Sequence, residues 1–502
     1  MTVRRTWSPA LSRSRGLGRT IGPLVALAAA ATLAACGSSS TTSGSTSAGS
    51  TAAEPSSVES SSAGSPAAGS SSGVGSSGPS QAPAGSVPVG STGASASGAA
   101  VSSDAQPAPG DTGAKMTMWV RAATEAFSKR LVNDYNSSHQ NHVTLTIIPN
   151  DSYLQKVGAA AGSNNLPDLL ASDVVYSPNY VTQGLYQDLT EKVKALPFSA
   201  SLVQAHLAAS STDGKIFAVP HKVDSSLIFI NKDLFQKAGL DPNSPPKNFQ
   251  DIYADAKKIR ALGGDTYGFY FAGNCAGCNA YTAFPYAAAA GHPPLSADGK
   301  KADIDNDAFT QAFALYKKMF DEGIAPSSAK TEDGSTWTAS FLAGKVGIYP
   351  AGSFLFADLL AKAKFSWGVT PLMSPDGSKT STFVGGDVLG VSKSSKQTDA
   401  AWNFISWTLA EHAQVEDIAK NGDLPARTDL SGNKYTATDP RFKATVEGLA
   451  NGYTPSALPY GELFNDATGP WNQSVRGAIF GSDPAKALKD AQSAIQAKLD
   501  EQ

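Results

Sequence analysis

The sequence predicts an α/β fold, laid out as two lobes, over residues 114–502. Two observations carry this. Strand-type and helix-type periodicities alternate along the segment, the pattern of helices packed against a largely parallel sheet. The segment is also 389 residues long, more chain than one hydrophobic core normally serves. No internal repeat of solenoid length is evident.

Taken in order, residues 115–120 read as a strand. Residues 124–135 form a helix with Phe127, Leu131 and Tyr135 on one face, and 142–148 alternate as a second strand. Residues 154–161 are helical, 167–171 are a short apolar run suited to a buried strand, and 178–184 are helical. Further along, 226–230 read as a strand, 233–238 as a helix closed by Gly239, and 267–271 as a strand. Residues 249–262, 307–322 and 485–499 are amphipathic helices. So is 400–409, which places Trp402 and Trp407 in the core.

The first 113 residues are of another kind. Arg4, Arg5, Arg13, Arg15 and Arg19 precede a short apolar run, 21–35, and Leu33-Ala34-Ala35-Cys36-Gly37 follows. This is the layout of an export signal over 1–35, and its end resembles the bacterial lipobox, which implies that Cys36 becomes a lipidated first residue. The alternative is an ordinary signal peptide with a chance cysteine. Residues 36–113 form a Ser/Gly/Ala/Pro tether; the stretch 37–113 holds 25 Ser and no aromatic, Leu, Ile, Met, Lys or Arg. Such a composition buries too little to offset the entropy of ordering, so it is expected to be disordered, with a span of roughly 50 Å. Gly69-Ser70-Ser71-Ser72-Gly73 matches the hydrolase G-x-S-x-G pattern but has no strand or helix around it, and reads as composition alone.

Charge and cysteine content exclude several classes. The chain carries net charge −3; removing 1–35 takes away five Arg and no acid, leaving −8. Nucleic acid is therefore not an expected partner, and the membrane is reached only through the lipid. Three Cys exclude a disulfide scaffold, and no apolar run of 18 residues follows the N-terminal region, which excludes a polytopic membrane protein.

Eight motifs in order then carry a resemblance. These are Met118-Trp119, Leu166-Pro167-Asp168-Leu169, Gly184-Leu185 with Asp188-Leu189, and Asp213-Gly214-Lys215-Ile216-Phe217-Ala218-Val219-Pro220. They continue with Ile230-Asn231-Lys232-Asp233-Leu234-Phe235, Phe341-Leu342-Ala343-Gly344-Lys345-Val346-Gly347-Ile348, Phe383-Val384-Gly385-Gly386 and Leu424-Pro425-Ala426-Arg427. Together they resemble family 1 extracellular solute-binding proteins of ABC importers, of the maltose-binding-protein-like, sugar-type branch. Ile230 stands where the family usually has Tyr, and Phe249 where it usually has Trp.

The resemblance implies a two-lobed periplasmic-binding-protein fold (type II) with interlobe hinge strands and a solute held in the cleft. It implies lobes of 114–222 with 387–435 and 223–386 with 436–502, crossing near 222–225, 385–386 and 435–441. Gly385-Gly386 suits either a hinge or a close approach. The partners implied are a small-molecule ligand, a mono- or oligosaccharide, and ABC permease subunits. The chain is expected to be a monomer without cofactor, metal or enzymatic activity, anchored on the outer face of the cytoplasmic membrane. No G-x-x-x-x-G-K-[ST] is present, so ATP hydrolysis would belong to another subunit.

A sugar needs flat aromatics for its faces and charged or amide groups for its hydroxyls. Trp119 and Arg121 end the first strand, and Asp173 follows the third at the same edge. Asp224 lies in the first crossing and Phe354 two residues after Gly352, both at positions the resemblance assigns to ligand. Trp337, Asp387, Trp471, Asn274 and Tyr281 are further candidates near cleft segments; Lys222 beside His221 is another. Each has a structural alternative: Arg121 and Asp173 pairing with each other, the tryptophans filling core. Cys275-Ala276-Gly277-Cys278 reads first as a local disulfide in a Gly-bracketed loop, with a redox motif and a zinc site as lesser readings. Competing functions are a tethered glycoside hydrolase using Asp173 and Asp224, a receptor for a polyamine, osmolyte or phosphodiester, and a lipid-anchored sensor or adhesin partner.

Overall fold

The computed structural model describes residues 109–502; the expectations for the signal, Cys36 and nearly all of the tether lie outside the described residues. The tether is expected to run to 113, but the body takes hold of the chain slightly earlier. Asn141 Oδ1 accepts from the backbone N–H of Thr112 and Ala114, and its amide donates to Gly110 O at 2.8 Å. One buried Asn thus satisfies three backbone groups of the incoming segment.

The first strands are β1 (Lys115–Arg121), β2 (His142–Ile148) and β3 (Leu169–Asp173). β1 runs parallel to both others, joined by the helices Glu125–Ser138 and Asn150–Gly162. Each parallel pair needs such a crossover, and the sequence supplies it through the 3.6-residue spacing of Phe127, Leu131 and Tyr135 and through buried Tyr153 and Val157.

The strand expected at 226–230 is in fact β4 (Val219–Asn231), and every one of its residues is buried. It is followed by β5 (Tyr267–Phe269), β6 (Val346–Gly352), β7 (Trp367–Met373) and β8 (Thr380–Val391). The sheet order is β2-β1-β3-β8-β7-β4-β6-β5, with a further pairing of β8 with β4. The long strands β4 and β8 each serve two neighbourhoods. Residues 387–391 of β8 pair with β3, while Thr380 and Ser381 pair with β7. Residues 226–231 of β4 pair with β6 and β7. Between these regions β4 and β8 pair with each other, Asp224 opposite Gly385 and Val223 opposite Gly386. These are the hinge strands of a two-lobed α/β fold.

Gly386 shows why the crossing takes this residue. Its φ is +106°, and a Cβ there would lie 2.1 Å from Lys222 O. A bulge follows directly, Asp387 pairing with Lys222 and Val388 with Pro220, so that His221 is the extra residue. A third passage joins the two regions: Arg427 lies over Phe198 on one side, and Arg441 lies over Trp367 on the other, at 3.9 and 3.8 Å.

Two helices differ from expectation. Cys275 was expected in a loop, yet it is the N-cap of the helix Ala276–Ala289. That helix is buried nearly all round, so it carries no amphipathic signal. Trp471 was expected near the cleft; it lies at the start of the helix Pro470–Phe480 with no exposure.

Candidate ligand-binding cleft

The cleft is built on one row of paired strands. β3 ends at Asp173, which is opposite Asp387 of β8, and Asp387 is opposite Lys222 of β4. Residues directly opposite in a ladder share a face, so three charged residues line one face where the strands cross. Arg121, the last residue of β1, reaches into this row. Its Nη1 is 3.1 Å from Asp173 Oδ2, its Nε donates to Asp387 Oδ2 at 3.2 Å, and its Nη2 binds Asp387 Oδ1. Burial works against the guanidinium charge, but the two carboxylates outweigh it and raise the Arg121 pKa above its ordinary range.

A second triad lies beside the first. Lys222 Nζ is 2.9 Å from Asp423 Oδ1 and 3.3 Å from Asp224 Oδ1, and Arg130 also binds Asp423. Ser353 Oγ donates to Asp224 at 3.4 Å while accepting from Ser225 N at 3.0 Å. Burial opposes the Lys222 charge as well, and again the carboxylates raise its pKa overall. Asp173 and Asp224 are both held above the usual carboxylate range. Burial is the main cause, neighbouring carboxylates add to it, and the paired cations oppose it. The side chains of Asp173 and Asp224 keep 22% and 12% of their exposure, whereas Asp387 keeps none.

Two histidines complete the floor. His206 Nε2 lies 2.9 Å from Gly385 O, and His221 packs edge-on against Phe127. Burial pushes both pKa values down to about 4, so both are neutral at pH 7. The array therefore holds Arg121, Lys222 and Arg130 against Asp173, Asp387, Asp224 and Asp423, three positive charges against four negative. Every cation in it is already paired.

An aromatic wall stands over the crossing. Tyr281 sits on the Ala276–Ala289 helix four residues before Pro285, whose missing N–H frees the Tyr281 carbonyl. Its ring lies against two glycines. A Cβ on Gly385 would be 2.8 Å from that ring; one on Gly352 would be 2.3 Å from Phe354 and 2.8 Å from Tyr281. Ring centroids are 6.4 Å apart for Tyr281 and Phe354, and 5.8 Å for Phe354 and Trp337. The Tyr281 hydroxyl and Trp337 Nε1 are buried without a protein partner. At the rim, Asn465 donates to the Tyr176 hydroxyl at 2.7 Å and Asn179 to Leu458 O at 3.2 Å.

The structure thus brings Arg121, Asp173, Asp224 and Asp387 together, and Tyr281, Phe354 and Trp337 together. Two expectations need correction. Asp387 is fully buried beneath Arg121 and is an anchor, not a surface for ligand. Trp471 is packed among Phe284, Phe309, Phe313 and Phe464, and its Nε1 donates to Ala276 O, so it is core. Trp119 is half-buried beside the Asn150–Gly162 helix, with Lys156 Nζ 4.8 Å from its ring. Asn274 is half-buried in the loop that leads to the disulfide, and its Oδ1 accepts from Arg476 at 2.9 Å.

Cys275 and Cys278 are joined by a disulfide, which leaves no thiolate for zinc. Sequence reasoning missed Asp423, Arg130 and Tyr176. Tyr176 lies three residues after Asp173 and was within reach of the strand-edge argument; Asp423 and Arg130 carry no local signal.

This geometry defines a class: a two-lobed body with a charged and aromatic cleft at its hinge strands. The chain belongs to the bacterial extracellular solute-binding protein family, whose profile matches residues 120–415. It is 24% identical over 406 residues to the diacetylchitobiose binding protein DasA of Streptomyces coelicolor, covering 79% of this chain and 92% of that protein. It is likewise 24% identical over 409 residues to a maltooligosaccharide ABC transporter solute-binding lipoprotein of Streptococcus pneumoniae R6, covering 77% and 90%. Among solved structures, an ABC transporter solute-binding protein of Thermotoga lettingae bound with α-D-tagatose superposes with TM-score 0.68 at 20% identity. That match covers 77% of this chain and 100% of the other. Among the described residues no helix is long and apolar enough to cross a membrane.

Proposed function

We propose that this chain is the lipid-anchored receptor of an ABC importer, capturing a mono- or oligosaccharide between its lobes and presenting it to permease subunits. One observation carries the reading. Two desolvated but still accessible carboxylates, Asp173 and Asp224, are each pinned by a cation at the hinge, beside an aromatic wall. Sugar hydroxyls donate to fixed carboxylates, and sugar C–H faces stack on aromatic rings. The ligands for which the relatives are named, diacetylchitobiose and maltooligosaccharide, and the tagatose of the structural neighbour support the same chemistry.

The charge array supports an uncharged ligand over a phosphodiester. Arg121 and Lys222 each face two carboxylates, so neither has charge to spare for an anion. The lobes we assign are 114–222 with 387–435 and 223–386 with 436–502, closing about β4 and β8. Anchoring rests on Cys36, and we take the receptor to act as a monomer.

A thermal-shift panel of neutral mono- and oligosaccharides, uronic-acid sugars, polyamines and glycerophosphodiesters tests this, followed by calorimetry on the best ligand and chromatography of that ligand after release. A melting point raised by neutral sugars that are recovered intact is expected. Cleaved product would replace the receptor with a hydrolase, and binding confined to the phosphodiesters would refute the carbohydrate reading.

A further inference from the structure

The disulfide and the aromatic wall are connected through one short loop. Cys275 caps the Ala276–Ala289 helix, its Sγ accepting from Cys278 N at 3.1 Å, and Tyr281 follows Cys278 by three residues, about one turn on the same helix. The sulfurs face Gly334. Its φ is +101°, and a Cβ there would lie 3.0 Å from Cys275 Sγ and 3.1 Å from Cys278 Sγ. The backbone at Gly334 is therefore seated directly on the disulfide.

That loop is tied at both ends. Buried Glu332 accepts from Gly334 N at 2.9 Å, from Thr336 N at 3.1 Å and from the Tyr270 hydroxyl at 3.0 Å. Its carbonyl accepts from Asn274 N at 2.9 Å, next to the disulfide. Three residues past Gly334 comes Trp337, whose carbonyl accepts from the Tyr349 hydroxyl at 2.6 Å and whose ring packs on Phe354. Both cysteines are half-buried.

From this we infer that the Cys275–Cys278 disulfide positions the Trp337 loop and Tyr281 for ligand, so that affinity depends on the redox state of this bond. The inference rests on the proposed cleft. Reduction by a dithiol delivers two electrons and two protons to the S–S bond; it leaves two thiols here and oxidises the dithiol to its own disulfide. The thiols no longer hold a fixed S–S pair under Gly334, and Cys275 loses the geometry that caps the helix. Residues 332–337 then gain freedom, and the wall that Trp337 forms with Phe354 must be ordered again by each incoming ligand.

The test uses the full exported chain, oxidised and after dithiothreitol, with alkylation and mass spectrometry to count thiols and to separate Cys36 from the pair. Amide exchange across 329–342 and 274–282 is measured without ligand, and affinity is measured by calorimetry with maltotriose and with N,N′-diacetylchitobiose. Expected on reduction is exchange at least tenfold faster in these two segments, unchanged exchange in β1–β3, and affinity about tenfold lower. The double variant C275S/C278S should reproduce the reduced state, and reoxidation of the wild type should restore binding. Unchanged exchange in 329–342 with both thiols free would overturn the inference, as would faster exchange with unchanged affinity. Failure of both sugars to bind the oxidised chain, with the phosphodiester probes alone binding instead, refutes the carbohydrate reading. The redox comparison is then made with the probe that binds.

Discussion

Asp387 and Asp173 both meet Arg121, but the structure gives them different work, and isosteric substitution separates the two. Asp387 is fully buried and takes two guanidinium bonds, while Asp173 is partly exposed and takes one. Breaking a buried ion pair by removing one partner costs about 3–5 kcal/mol. In Asp387→Asn the guanidinium still has Asp173, and the amide keeps one acceptor oxygen, so roughly half of that cost remains, about 2–3 kcal/mol. For a lobe of this size the loss corresponds to a melting point lower by about 5–10 °C. Asp173→Asn removes a partly solvated contact and should cost less than about 1 kcal/mol of stability. It should instead weaken ligand by about 1–3 kcal/mol, the scale of a charge-assisted bond lost in a desolvated site. Urea denaturation and calorimetry on both variants give the two numbers. A stable Asp387→Asn, or an Asp173→Asn that binds normally, would show that the anchor and the contact have been assigned the wrong way round.

Other expectations follow from single features. Gly386→Ala meets Lys222 O at 2.1 Å in a left-handed conformation, and should cost at least about 3 kcal/mol, read as a lower urea midpoint. His206 and His221 are held at about 4 by burial, below their ordinary 6.5. The unfolded chain therefore binds more protons in this range, and their contribution, full above pH 6.5, is lost as pH falls toward 4. Between pH 6.5 and 5 the pair should account for about 3 kcal/mol of lost stability. The raised Asp173 and Asp224 act in the opposite sense, gaining as they protonate at lower pH. Denaturation at several pH values should show a flatter slope in the H206Q/H221Q variant; an unchanged slope would remove the histidines from the account. Cys36→Ala should move the chain from the membrane fraction to the medium, and continued membrane association would refute the lipid anchor.

The elements of the first lobe were legible because their signals are local. The alternation of Met116, Met118 and Val120 and the helical spacing of Phe127, Leu131 and Tyr135 need no distant partner to be read, and the motif order needs only succession. β4 was legible only in its second half. Residues 219–225, Val-Pro-His-Lys-Val-Asp-Ser, have the composition of an exposed turn, yet all are buried. They are tolerated there because Asp423 neutralises Lys222 from 201 residues away and Ser353 meets Asp224 from 129 away. Burying an unpaired ammonium is prohibitive, so the strand exists in this place only with its partners. Trp471 failed for a related reason. A helix apolar all round, like the one that receives Trp471, has no polar face to say which residues turn inward, so an aromatic near a cleft segment and an aromatic in the core look alike. The disulfide was expected from two neighbouring cysteines in an exported chain, but its setting was not, since the two glycines beside it suggested a loop. What folds it into a helix is burial against Trp471 and the core behind Phe284, supplied by residues nearly 200 positions later. Residue types at strand ends were therefore enough to propose which chemistry the cleft holds, whereas the division between anchor, wall and proposed ligand contact depends on pairings made across the whole chain.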